Sequence, residues 1–172
     1  MEELLLAGND TGGRLKQKIK CAAESAAEME DKMSKIAVVY WSGTGNTENM
    51  AMAVAEGAKD KGAEVSVLTT SEFSPDQISS YDAIAFGCPS MGDEQLEESE
   101  FEPMFTDCES SLQGKNIALF GSYGWGDGEW MRSWEERCTD GGANLVCGSV
   151  ICNEAPDDEA LAACRKLGAA LA

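Results

Sequence analysis

From Ile36 onward, short apolar runs alternate with stretches whose apolar positions recur at helical spacing. The runs KIAVVYW (35–41), EVSVLT (64–69), AIAFGC (83–88), NIALFGSY (116–123) and NLVCGSVI (144–151) predict five strands. Amphipathic stretches near 47–61, 100–112, 129–140 and 157–171 predict helices, with a short helical turn at 75–80. Strands joined through helices pair in parallel, because a parallel neighbour needs a crossover of about a dozen residues or more. Several runs are apolar at consecutive positions, as strands buried on both faces must be. The expected fold is therefore α/β, a doubly wound five-stranded parallel sheet with helices on both sides.

The first 34 residues stand outside this alternation. Leu15, Ile19, Ala22, Ala23, Ala26, Met29 and Met33 recur at helical spacing, so RLKQKIKCAAESAAEMEDKMSK predicts an amphipathic helix preceded by the turn GNDTGG. Docking on the domain, meeting a partner and remaining an unstructured leader all stay open. The expected division is an N-terminal extension, 1–34, and one domain, 35–172.

Ligands of an open parallel sheet bind beyond the carboxyl ends of its strands. Three glycine-rich loops fall there: SGTGNT after the first strand, CPSMGDE after the third and YGWGDGEW after the fourth. The first suits an anion, since N–H groups at a helix start and in a glycine turn point into the loop and the helix dipole adds partial positive charge. Hydroxyls of Ser42, Thr44 and Thr47 and the Asn46 amide add neutral donors. No lysine, arginine or histidine lies between Tyr40 and Asn49, and neither a nucleoside-triphosphate loop nor a dinucleotide fingerprint is met. A neutral cage of this kind suits one monophosphate; a turn that merely caps a helix is the plain alternative.

Trp125 lies among glycines 121, 124, 126 and 128, where packing into a core is awkward, and Met91 is the apolar group of the third-strand loop. Together they could clamp a planar heterocycle between a thioether and an aromatic face. Loop packing for Trp125 and core filling for Met91 remain open beside that.

Charge narrows the partners. The chain carries a net charge of -18, and residues 1–35 hold seven acids and six bases, so nearly all of the excess lies beyond them. Such a surface repels nucleic acid and anionic membrane and attracts basic protein surfaces, although solubility or salt adaptation alone would account for it. With no histidine and seven cysteines that form no CxxC pair, the common general base and most zinc sites are absent. The chemistry is expected to reside in a bound group. No apolar run approaches the roughly 20 residues of a membrane span, and MEELLLAG lacks a signal-peptide pattern, so a cytoplasmic protein is expected.

The motifs VYWSGTGNTE, GCPSMGDE, LEESEFEP, LFGSYGWGDGEWM and NEAPD together resemble the short-chain flavodoxins, from Lys35 to Ala172. The resemblance implies strand order 2-1-3-4-5, one non-covalent FMN, and a low-potential electron carrier that replaces ferredoxin. It implies that Ser42, Gly43, Thr44, Gly45, Asn46 and Thr47 hold the 5′-phosphate and that Met91 and Trp125 flank the isoalloxazine. Ser122, Tyr123 and Gly124 would line the fourth-strand side, Glu94 would accept from N3–H, and Gly92 and Asp93 would form the turn facing N5. Pro89, Ser90 and Gly126 complete the implied contacts. A Gly92–Asp93 peptide free to rotate would present its carbonyl to a protonated N5. Asp93, Glu94, Glu97, Glu98, Glu100 and Glu102 would oppose addition of the second electron, or else form only a solvated helix start. Partners would be redox enzymes with basic docking surfaces, meeting a monomer. An FMN-dependent quinone or flavin reductase of the same fold is the alternative, disfavoured because Trp125 and Met91 would cover both flavin faces and no nearby base offers NADPH a docking point. The extension lies outside the family pattern.

Overall fold

A computed structural model describes residues 33–172. The helix expected in the extension lies outside the described residues. The compact unit runs from Ser34 to Ala172.

The chain alternates as its apolar periodicity requires. Strand β1 (Lys35–Tyr40) leads to helix α1 (Asn46–Asp60), and β2 (Glu64–Thr69) leads through two 3₁₀ turns to β3 (Ala83–Gly87). Helix α2 (Phe101–Glu109) follows, then β4 (Asn116–Tyr123), α3 (Glu129–Asp140), β5 (Asn144–Leu145), β6 (Val150–Asn153) and α4 (Asp158–Leu171). The expected turn at 75–80 is a 3₁₀ segment, Pro75–Ser80, opened by a Ser74–Gln77 capping box. All strand pairs are parallel in the order β2-β1-β3-β4-β5, with β6 also on β4, which bears out the doubly wound sheet and its strand order.

The fifth strand differs from the expected continuous run. Leu145 lies opposite Ile117 and Val150 opposite Phe120, so the outer chain spends two more residues than β4 over the same rise. The excess bows out at Val146–Ser149 and splits the strand in two, as a bulge does. Helix α2 also ends sooner than expected, where Ser111 N–H turns back to the Cys108 carbonyl.

Side chains alternate across the sheet into two cores. Ala37, Val39, Ile84 and Phe86 face α2 and α3, whose Phe101, Phe105, Trp130 and Trp134 fill that side. Phe101 and Phe105 both meet Trp134 edge-on, an arrangement that aromatic quadrupoles favour. Ile36, Val38 and Tyr40 face α1 and α4, an alanine-rich side. There the helices approach so closely that a Cβ on Gly57 would sit 1.9 Å from the Arg165 carbonyl oxygen, and one on Gly168 1.9 Å from that of Val54. Because every strand runs the same way, the loops that precede all four helices gather at one edge.

Candidate functional site

At that carboxyl edge a cavity of about 550 Å³ opens, within the size range of cofactor pockets. The first-strand loop contributes Trp41, Gly43, Thr44 and Asn46, the third Pro89, Ser90 and Met91, and the fourth Ser122, Tyr123 and Gly124. Glu154 and Ala155, at the end of the fifth strand, complete it. Nine of the residues expected at a cofactor are thus brought together.

The first loop is shaped by Gly45, which starts α1 at φ 93°, a conformation that favours glycine. Its N–H donates to Ser42 Oγ at 3.0 Å, which closes the turn. Among the described residues, no side chain accepts from the Asn46, Thr47 or Glu48 N–H groups. The helix start is left with unpaired donors and its dipole facing the cavity edge. Thr47 behaves differently from its neighbours: it is 1% exposed and its hydroxyl pairs with that of Ser122, 5% exposed, at 3.1 Å. Each hydroxyl has one proton, so one proton of the pair bridges them and the other is left for a further acceptor.

The third-strand loop folds into a tight turn. Met91 and Gln95 exchange backbone bonds of 2.8 and 2.9 Å, and Gly92 and Glu94 both take positive φ, 54°. Glu94 Oε1 accepts from the N–H groups of Asp127 (3.0 Å) and Gly128 (3.3 Å), tying this turn to the fourth-strand loop. Gly126 passes beneath it at φ 88°, a conformation that favours glycine, and a Cβ there would push the Glu94 carboxylate aside. Asp93 and Glu94 line not the cavity but an adjoining groove of about 540 Å³ between α2 and α3, together with Glu98, Glu102 and Glu129. Trp125 stands clear of the cavity wall at 61% exposure, and Met91 is 40% exposed at its rim.

Two acids of the LEESEFEP stretch are committed to hydrogen bonds within the protein, Glu97 buried and Glu100 exposed. Glu97 is 6% exposed and accepts from the N–H groups of Ser99 (2.7 Å), Glu100 (2.8 Å) and Phe101 (2.9 Å), closing the start of α2. Burial pushes its carboxyl up, but the three N–H bonds hold it below the usual carboxylate range. Glu100 Oε2 accepts from Trp41 Nε1 at 2.7 Å. The Cys88 thiol beneath the loop is pushed far up by burial, which leaves it inert, and its sulfur accepts from Glu97 N–H at 3.3 Å. Arg132 binds Asp127 through both its carboxylate (2.8 Å) and its carbonyl (3.1 Å), and that pairing lowers the Asp127 carboxyl.

Sequence reasoning passed over Trp41, Glu154 and Ala155. The rule that ligands gather beyond strand ends would have found the last two, because NEAPD follows the fifth strand as SGTGNT follows the first.

A parallel sheet with an uncapped helix start beside a loop-lined cavity is the architecture of a mononucleotide-binding α/β protein. Residues 38–168 match the model of the Flavodoxin family. The flavodoxin of Megasphaera elsdenii is 47% identical, over 80% of this chain and 98% of its own length. That of Clostridium beijerinckii is 47% identical over 70% of this chain and 88% of its own. The solution structure of two-electron reduced Megasphaera elsdenii flavodoxin superposes with a TM-score of 0.74, covering 79% of this chain and 97% of that one. The chain belongs to the flavodoxin family. Its cofactor is FMN, and it is an electron-transfer protein. The cavity fits that cofactor: open N–H donors at one end suit a phosphate, and Met91, Tyr123 and Trp41 offer apolar wall beside it.

Proposed function

We propose that the protein is a low-potential one-electron carrier that shuttles electrons between redox enzymes in place of ferredoxin and turns over no substrate of its own. The observation that carries this reading is the open start of α1 at an edge whose loops contribute acids and no cations. Segments 41–45, 88–100, 124–128 and 154–157 hold eight acids and no lysine or arginine.

When bound, FMN supplies the one-electron chemistry. Ser42, Thr44 and Asn46, with the first N–H groups of α1, are assigned to its phosphate, and Gly43 and Gly45 keep the loop backbone close. Thr47 and Ser122 fasten that loop to β4 and leave one hydroxyl proton for the ligand. Met91, Tyr123 and Trp125 are assigned to the ring system, with Pro89, Ser90, Gly124 and Gly126 shaping its rim. Gly92 is already at positive φ, so the Gly92–Asp93 peptide would be free to offer a carbonyl to the flavin edge. Glu94 keeps Oε2 for the N3–H while Oε1 holds the fourth-strand loop. The carboxylates of Asp93, Glu94, Glu98 and Glu102 oppose the arrival of further negative charge, an effect that salt weakens.

The same acids suit weak docking by basic redox enzymes, while the lysines among the described residues lie away from this edge, at the starts of β1 and β4, at the end of α1 and within α4. A cytoplasmic monomer is the form we propose. No helix among the described residues is long and apolar enough to cross a membrane.

Stepwise anaerobic reduction of the FMN-loaded protein tests the reading. Two well-separated one-electron couples, the second well below that of free FMN, are expected, with no NADPH–quinone turnover. Steady turnover by the isolated protein would replace the carrier with a reductase.

A further inference from the structure

Trp41 and Glu100 are distant in sequence, and neither the charge pattern nor the loop motifs pair them. The Trp41 indole lies against the backbone of the anion loop: a Cβ on Gly43 would be 2.9 Å from Cη2 and 3.3 Å from Cζ3. The indole also forms part of the cavity wall beside Thr44 and Asn46. Its N–H is committed to Glu100 Oε2 at 2.7 Å, the short end of charge-assisted bonds. Glu100 is itself fixed, since its backbone N–H donates to Glu97 Oε2 and the Glu97 N–H donates to Cys88 Sγ. A continuous line of contacts therefore runs from the end of β3 through Glu97 and Glu100 to the indole and the loop above it.

Resting on the assignment of the phosphate to that loop, we infer that Glu100 is a positioning residue that holds Trp41, and through it the phosphate loop, in its binding shape. Its carboxylate charge works against that task, because an anion near a phosphate dianion repels it. The sign of a substitution therefore separates the two roles. Were Glu100 only a charge, removing it in any way would tighten FMN. As a positioner, removing its acceptor oxygen loosens FMN, whereas Glu100→Gln keeps an acceptor, removes the charge and leaves affinity intact or slightly improved.

The test compares dissociation constants of FMN and of riboflavin, which lacks the phosphate, for the full chain and for E100Q, E100A, W41F and the W41F/E100A pair. E100A and W41F should each weaken FMN about tenfold, the size of one net hydrogen bond to a charged group. E100Q should stay within about twofold of wild type, and the double variant should be no weaker than W41F alone, because both remove the same link. Riboflavin binding by E100A should change by less than about twofold. FMN binding by E100A that equals or exceeds wild type would overturn the inference, as would a parallel loss of riboflavin or additive losses in the pair. Should E100A fail to fold, E100Q and W41F still decide: the inference requires W41F to lose FMN affinity and E100Q to keep it. Wild-type protein that bound no FMN would instead refute the cofactor assignment and carry this inference down with it, a result separate from all the others.

Discussion

Helix α4 begins with Asp157 Oδ1 accepting from the Ala160 N–H at 2.8 Å, and α2 begins with three N–H groups on the Glu97 carboxylate, whereas α1 begins on Gly45 with nothing over its first turn. Just before α3, Glu94 from another loop takes the Asp127 and Gly128 N–H groups. All four starts lie at the same edge; at α2 and α4 a carboxylate of the protein takes a first-turn N–H, and at α3 one closes the loop that enters the helix. A helix start stabilises an anion whatever its source. Where the chain provides the anion, the site is structural; where it withholds one, the donors remain for a ligand. The difference locates the phosphate end of the site without appeal to a basic residue.

The comparison breaks most severely if a carboxylate is set over the start of α1, which carries Glu48 in its first turn but no side-chain acceptor on its first N–H groups. Asn46→Asp places a negative charge in the first turn, where it satisfies the dipole but repels the phosphate. FMN affinity should fall about a hundredfold or more, since two like charges a few ångströms apart cost several kcal/mol in a partly screened site. The apoprotein, by contrast, should keep its stability or gain up to about 1 kcal/mol. Titration with FMN and thermal unfolding without it check the two halves.

Opening α2 tests the same rule from the other side. Glu97→Ala strips the partner from three N–H groups and should destabilise the protein by about 2 kcal/mol, read from denaturant unfolding. Glu97 also sets a pH dependence. Its folded carboxyl is held below the usual range, so its contribution is complete above the unfolded value, about 4.3, and is lost as pH falls toward the lowered one. In the variant that part of the acid destabilisation should be absent, and stability should change less steeply below about pH 4.3.

The smallest effect is expected at α4. Asp157→Ala removes one cap bond and should cost about 1 kcal/mol of stability while leaving FMN affinity within about twofold. A large loss of FMN there would mean that cap removal disturbs the whole edge, and the contrast with α1 would lose its meaning.

The residues that were legible in the sequence are those whose role follows from local pattern. Ser42 to Thr47 read as an anion loop because glycine and hydroxyl residues sit between a strand and a helix, and the structure has that loop at an open helix start. The residues that were not legible depend on where a side chain turns after folding. Glu97 and Glu100 read as surface charge in an acidic stretch, yet one is buried on backbone donors and the other bonds an indole 59 positions away. Trp41 read as the last residue of a strand because its apolar character suits a core as well as a cavity wall. Thr47 and Ser122 both read as ligand contacts, and their mutual bond across 75 positions has no local signature. The break in the fifth strand was hidden within NLVCGSVI, where Gly148 and Ser149 were the only marks of a bend.

The central claim, that dipoles and neutral donors at the start of α1 hold the FMN phosphate, is tested most directly by the ratio of riboflavin to FMN dissociation constants for the wild-type apoprotein. The account predicts FMN binding at least about a hundredfold tighter, the worth of two or more net hydrogen bonds to a charged group. Equal affinities would contradict it.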